Sequence, residues 1–322
     1  MNKSNNFFSI VIPTYNHADF LLKALQSVID QNHQAWEAIV IDNHSSDNTD
    51  EVIQKLNDPR IKLHKINNNG VIGASRNLGI KLSSYDWVAF LDSDDIWYPG
   101  RLNEISNLLS TTNKYDVIST DEYKVFQNNK NKKLLQYGPL PKNAYKHMLL
   151  YGNRLSPSAT IVRKSLLVSH NISFNEDSNF ITVEDYDFWL NIAFVKARFK
   201  FIPSIQGEYL VHSSNNSSRA DIHHKNHIYL LKHHTFNVQK FSKDKEKLWK
   251  RIKTRLTLHD SIYKLRERNI TSFLEICIKA FLMSPFGLFQ YISSRITTKF
   301  FKATSIISYK KLKKELLNKN ES

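Results

Sequence analysis

Three carboxylates fall within four residues at Asp92-Ser93-Asp94-Asp95, directly after the apolar run Trp87-Val88-Ala89-Phe90-Leu91. Acids this close repel one another at the end of a strand. A divalent cation would relieve the repulsion, and hard cations take oxygen ligands. A second acidic group, Glu184-Asp185-Tyr186-Asp187, precedes Phe188-Trp189-Leu190. Acids in that place open a helix and favour its dipole. Three further segments carry polar groups at the ends of apolar runs. Phe8-Ser9-Ile10-Val11-Ile12-Pro13-Thr14-Tyr15-Asn16 reads as a strand and a turn, and Ile41-Asp42-Asn43-His44-Ser45-Ser46-Asp47-Asn48-Thr49 as a strand end and a helix N-cap. Gly73-Ala74-Ser75-Arg76-Asn77-Leu78-Gly79 reads as a helix whose small residues pack on a sheet.

The elements that must position these groups alternate. Apolar runs at 8–12, 38–41 and 87–91 lack the strict alternation of a half-exposed strand and suit strands buried on both faces, and Ile61, Leu63 and Ile66 suggest a further strand. Between them, Leu21, Leu22, Leu25, Val28 and Ile29, then Val52, Ile53 and Leu56, then residues 74–83 follow helical spacing. The pattern predicts an α/β fold with a parallel sheet flanked by helices. Ligands of such sheets bind beyond the carboxyl ends of the strands. Thr14-Tyr15, Asp42-Asn43 and Asp92 to Asp95 would then converge on one rim. A strand is expected at 116–120, a polar loop at Asn128 to Lys133, an amphipathic helix at 184–196 and basic helices from about 221 onward.

The chain has 322 residues, 41% hydrophobic and 23% charged, which excludes disordered and fibrous classes. Its single cysteine, Cys277, excludes an internal disulfide and a cysteine-based zinc site and fits a reducing compartment. The polar start, Met1 to Asn6, is not the pattern of a secretory signal. The net charge of +15 is uneven. Residues 1–219 hold 23 Lys and Arg against 22 Asp and Glu, whereas residues 220–322 hold 22 against 8. A basic tail of this kind points to a polyanionic partner, a nucleic acid or an anionic membrane surface. The most apolar stretch of the tail, Phe273 to Ile292, is interrupted by Glu275, Lys279 and Pro285, so it is expected to lie on a membrane surface rather than span it.

Taken in order and spacing, the five segments resemble the family 2 glycosyltransferases of the GT-A fold, over roughly residues 7–220. That resemblance implies a Rossmann-like, mostly parallel sheet flanked by helices, and two regions: a catalytic domain at 1–219 and a basic, mainly helical extension at 220–322. It implies an inverting enzyme that moves a sugar from a nucleotide-diphosphate donor, with a UDP-sugar favoured, to a hydroxyl of a glycan acceptor. Pro13, Thr14, Tyr15 and Asp42 match the segments that hold the nucleoside, with Asp42 near base or ribose. Many members carry a second acid where this chain has Asn43. Arg76 and Asn77 match positions near the donor's phosphates or sugar. The Asp-Ser-Asp segment matches the DxD motif, with Asp92 on the ribose, Ser93 between, and Asp94 on Mn²⁺ or Mg²⁺. Asp95 matches a residue lining the donor-sugar site. Asp185 matches the general base of the ED motif, with Glu184 supporting it and Asp187 the lesser choice. Tyr209 and His212 match a Tyr-Arg-x-His segment whose His completes the metal site, although Leu210 replaces the Arg.

Such enzymes with basic tails commonly build bacterial surface polysaccharide (lipopolysaccharide, O-antigen or capsule) on lipid-linked acceptors. A cytoplasmic chain held peripherally on the inner face of the membrane is therefore expected, with an anionic membrane surface as the tail's partner. His223, His224, His227, His233 and His234 are expected to form a solvated helix face. The competing reading is a basic nucleic-acid-binding protein, whose tail aromatics (among them Trp249, Phe286, Phe289, Phe300 and Phe301) would stack on bases. No nucleic-acid motif accompanies them. A dinucleotide-binding oxidoreductase would want Gly-x-Gly-x-x-Gly where this chain has Pro13-Thr14-Tyr15-Asn16, and no P-loop motif is present.

Overall fold

The computed structural model describes residues 6–127, 129–212, 220–266, 270–289 and 291–293. In chain order the strands are β1 (Phe8–Thr14), β2 (Trp36–Asp42), β3 (Ile61–Lys65), β4 (Trp87–Phe90), β5 (Ile96–Trp97), β6 (Val117–Phe126), β7 (Asn129–Leu135), β8 (Thr160–Arg163) and β9 (Phe199–Val211). The helices are α1 (Ala18–Ile29), α2 (Thr49–Leu56), α3 (Ile72–Leu82), α4 (Arg101–Thr111), α5 (Ala144–Tyr151), α6 (Lys164–Ser169), α7 (Glu184–Phe194), α8 (Ala220–His233), α9 (Lys245–Arg266) and α10 (Ile270–Met283). The chain divides into two compact units. One runs to Leu230 but omits Leu149–Gly152, and the other takes Leu149–Gly152 and the chain from Leu231 onward.

The first unit holds the sheet, in the order β3-β2-β1-β4-β8-β6-β9-β5, with β7 on β6. The first four strands in that order are parallel, as the apolar runs predict, and β6 pairs with β9 in parallel too. β8 enters antiparallel between β4 and β6. Every residue of β1 and β2 is buried, which is why these strands read as continuous apolar runs. On one face Phe8, Ile10 and Ile12 meet Leu21, Ala24, Leu25 and Val28, the buried stripe of α1. Each of these Phe, Ile, Leu and Val side chains contributes about 1.5–3 kcal/mol on burial. α3 lies so close to β1 that a Cβ at Gly79 would come within 2.2 Å of Val11 Cγ1. Only glycine fits there, which confirms the expected close packing of this helix on the sheet.

Two local expectations change. Pro13 does not end β1, which continues to Thr14. β4 stops pairing at Val11, so no neighbour on that side needs an amide from Pro13. The stretch expected to be a polar loop is largely strand: β7 pairs with β6 from Glu122–Leu135 to Phe126–Asn129. Its Lys- and Asn-rich sequence carries no periodicity, and its pairing comes from the edge that β6 offers it.

In the second unit, a π-helical turn at His234–Val238 follows α8, and α9 packs with α10. No helix among the described residues is long and apolar enough to cross a membrane. The lysines at 299, 302, 310, 311, 313 and 314, with Phe300 and Phe301, lie outside the described residues.

Candidate active site

The carboxyl ends of β1, β2 and β4 meet on one rim, and their loops are laced together. Asn43 N donates to Thr14 O at 3.0 Å. Asn16 N donates to Ser45 Oγ at 2.8 Å, and Ser46 N donates to Asn16 Oδ1 at 2.8 Å. Asn16 and His44 take positive φ, 50° and 54°, a conformation that asparagine tolerates better than most residues and that turns both loops sharply. Asp47 accepts from Thr49 Oγ1 at 2.6 Å and from Ala18 N at 2.8 Å, so one carboxylate holds the starts of both α1 and α2. Burial would raise its pKa, but these hydrogen bonds outweigh burial and keep it low. The cap positions themselves, His17 and Asn48, make no side-chain cap bond, and Asp47 serves both helix starts instead.

On this rim Tyr15 is 56% exposed and Thr14 is buried. Thr14 Oγ1 is buried and has no hydrogen-bond partner. Asp42, expected near base or ribose, is fully buried. It spends its carboxylate on Ser45, accepting from Oγ at 2.5 Å and from N at 3.1 Å.

Arg76 is the centre of the site and is buried. It was expected near the donor's phosphates or sugar. In the structure, Nη1 donates to Glu184 Oε1 at 2.9 Å and Nη2 to Asp92 Oδ1 at 2.8 Å. Burial alone would lower its pKa, but Asp92 and Glu184 outweigh burial and raise it. The guanidinium therefore ties the Asp-Ser-Asp segment to the start of α7. Losing one partner of such a buried group costs about 3–5 kcal/mol, so Arg76 is a positioning residue. Asn77 is engaged within the protein: its Nδ2 donates to Phe174 O and Glu176 Oε1 at 2.9 and 2.8 Å, and its Oδ1 accepts from Phe174 N at 2.8 Å.

The acids of the 92–95 segment divide. Asp94 meets His212, whose Nε2 lies 2.9 Å from Asp94 Oδ2. Burial and the charge of Asp92 push the Asp94 pKa up, and the contact with His212 opposes this. Buried His212 stacks on Phe20 at 4.6 Å and meets the edge of His17 at 5.6 Å, while His17 Nδ1 lies 3.3 Å from Ser93 Oγ. Asp95 does not line a cleft. It is buried, accepts from Ser158 Oγ at 2.5 Å and from Leu210 N at 2.9 Å, and burial, with Asp94 and Glu122, raises its pKa far above the usual carboxylate range. Its role is to join the ends of β4 and β9. Ser158 completes that joint by accepting from Asp92 N at 3.1 Å.

Asp185 opens α7 and is half-buried. Asn153 Nδ2 donates to its Oδ2 at 3.1 Å. Burial, then the charge of Glu184, raise its pKa to about 7, with Arg76 opposing. Asp187 is buried and accepts from Asn191 Nδ2 at 3.0 Å; it lines a separate cavity of about 640 Å³ with Glu176 and Phe194.

Sequence reasoning missed His17, Phe20, Asn153 and Ser158. Only His17 carried a signal, as a polar residue following the Thr14-Tyr15-Asn16 turn. The expected solvated histidine face is corrected. His224 is exposed, but His223 packs on Thr182, His227 lies against the Tyr186 ring at 5.7 Å and His234 is fully buried. His223 and His227, four residues apart on α8, share the helix face that meets Thr182 and Tyr186. Among the described residues, no three His, Cys, Asp or Glu side chains gather as a metal cluster.

The model of the family "Glycosyl transferase family 2" matches residues 9–168. The chain is 32% identical over 187 residues to the Escherichia coli UDP-Glc:alpha-D-GlcNAc-diphosphoundecaprenol beta-1,3-glucosyltransferase WfgD, covering 57% of this chain and 68% of that protein. It is 28% identical over 213 residues to the E. coli enzyme of the same description, WfaP, covering 65% and 79%. The fold is similar to the crystal structure of S. aureus TarS 1–349 in complex with UDP, with a TM-score of 0.60 at 22% identity over 77% of this chain and 71% of that one. The architecture is GT-A, and the chain belongs to glycosyltransferase family 2.

Proposed function

We propose that the chain is an inverting, metal-dependent glycosyltransferase. It would move a sugar from a nucleotide-diphosphate donor, a UDP-sugar first among the candidates, to a hydroxyl of a lipid-linked glycan in bacterial surface polysaccharide assembly. The observation that carries the reading is the Arg76 tie, which brings the Asp92–Asp94 acids and the raised-pKa Asp185 to one rim. The UDP-glucose and diphosphoundecaprenol in the names of the E. coli relatives support the substrate classes.

The donor set suits a hard divalent cation. Asp94 offers a carboxylate whose charge the fold disfavours, and His212 lies beside it as an imidazole. Asp94 and His212 would hold Mn²⁺ or Mg²⁺. When bound, the ion neutralises the charge that grows on the diphosphate leaving group. Thr14 and Tyr15 face the nucleoside end. Asp185 takes the proton of the acceptor hydroxyl as that oxygen attacks the sugar from the side opposite the diphosphate, which inverts the anomeric centre.

Incubating the full chain and Mn²⁺ with UDP-, GDP- and dTDP-sugars tests the reading. The expected result is slow, metal-dependent release of the nucleotide from one UDP-sugar. Absence of turnover and of nucleotide binding across all donors would defeat it.

Residues 1–219 form the catalytic region of this proposal, and residues 220–322 hold the chain peripherally on the cytoplasmic face of the membrane. α10 supports this: Ile270, Leu274, Ile278, Phe281 and Leu282 are all exposed and fall on one stripe of the helix. Apolar insertion of such a face adds to the attraction between basic residues and anionic lipid, about 1 kcal/mol per Lys or Arg near the surface. Trp249, by contrast, is engaged by Lys232 and Phe236 rather than free to stack on a base. The full chain is expected to float with phosphatidylglycerol vesicles, and Ile278→Glu with Leu282→Glu to lose most of that binding. Equal flotation of both proteins would show that α10 is not the membrane face. Steep salt-dependent RNA binding without flotation would favour the nucleic-acid reading.

A further inference from the structure

The turn that holds Asp185 carries a cation without a counter-charge. Asn153 uses both ends of its amide: Nδ2 donates to Asp185, and Oδ1 accepts from Leu155 N at 3.1 Å. Leu155 is buried, so the turn is fixed at both ends, with Arg154 at its middle. Arg154 is half-buried, its Nε is buried without a hydrogen-bond partner, and no carboxylate among the described residues pairs with it. Its pKa is lowered by burial alone. One titratable group that Arg154 acts on is His147, which burial and Arg154 push down to about 4, so it is neutral at physiological pH.

Arg76, the buried arginine tied to the start of α7, is matched by two carboxylates. Keeping a guanidinium partly dry and unpaired is unfavourable unless an anion arrives to pair with it. The planar fork of arginine suits phosphate oxygens, which it binds two at a time. The neighbour of Arg154 orients the base that acts on the acceptor, and the donor's diphosphate belongs to the Asp94–His212 side.

We propose that Arg154 is an anion subsite for the acceptor: it binds the phosphate group that links the acceptor sugar to its lipid. This rests on the glycosyltransferase reading above and adds to it a residue that recognises the substrate class. Arg154 thereby sets the acceptor hydroxyl against Asp185 from the far side of the sugar.

The test is titration of the full chain, saturated with UDP and Mn²⁺, with dodecyl diphosphate, a lipid diphosphate that carries no sugar. Wild type is expected to bind it, and Arg154→Gln to bind about 10- to 100-fold more weakly. Arg154→Lys should recover part of the loss, and UDP affinity should be the same in all three proteins. Equal dodecyl diphosphate affinity in wild type and Arg154→Gln would overturn the proposal. So would a parallel loss of UDP binding, which would place Arg154 in the donor site or the general fold. Loss of flotation on phosphatidylglycerol vesicles, with dodecyl diphosphate binding retained, would assign the phosphate to a membrane headgroup and overturn the acceptor assignment. Arg154-dependent binding of dodecyl diphosphate by a chain that binds no nucleotide would defeat the glycosyltransferase reading and leave the anion site standing.

Discussion

Asp94→Ala is expected to lower sugar transfer by at least about 10³-fold while the protein still folds. Removing a single electrostatic stabiliser of a developing anion costs about 10²–10³ in rate, and removing a ligand of the ion that neutralises the leaving diphosphate costs more. The fold tolerates the change because burial and Asp92 already disfavour the Asp94 charge. Alanine relieves that repulsion and gives up the contact with His212. Thermal melting should therefore shift by only a few degrees, and added Mn²⁺ should no longer stabilise the variant in the presence of UDP. Transfer measured before and after EDTA is the companion experiment. Wild-type rates that survive EDTA, together with an active Asp94→Ala protein, would remove the metal from the mechanism.

Asp185→Asn is the second large effect, a loss of about 10²–10⁴ in transfer with UDP affinity retained. The amide is nearly the size of the carboxylate but cannot accept the acceptor's proton. The raised pKa adds a pH signature whose sign follows from the role. A general base works deprotonated, so kcat/KM for transfer should fall about tenfold per unit below pH 7 and level off above it. Burial and Glu184 set that position, and Arg76 limits it. Residual activity of the variant should lack this acid limb. An unchanged limb in Asp185→Asn, or loss of UDP binding with turnover intact, would move the base elsewhere.

Both predictions rest on residues whose places are legible in the order of amino acids alone. Asp92, Asp94 and Asp185 stand where an apolar run stops or begins, and the ends of β1, β2 and β4 follow from runs too apolar for an exposed strand. The start of α3 and the acids opening α7 are legible for the same reason. Helix periodicity, buried-strand composition and end signals act over a few neighbouring residues, so a short stretch of chain contains them.

The partners of those residues are not local. Arg76 reaches Glu184 across 108 positions, and His212 meets Asp94 across 118. Asn77 closes on Phe174 and Glu176, and Asp95 on Ser158 and Leu210. Arg76, Asn77 and Asp95 each sit in a segment where donor contacts are expected, yet packing pairs them within the protein, because a buried polar group must be paired and the nearest partners come from distant strands and loops. β7 formed for a like reason, since the open edge of β6 outweighed a sequence with no strand pattern. The types and places of the reactive groups were thus written along the chain. Which of them face a ligand and which hold the fold together was decided only when the sheet brought residues a hundred positions apart into hydrogen-bonding distance.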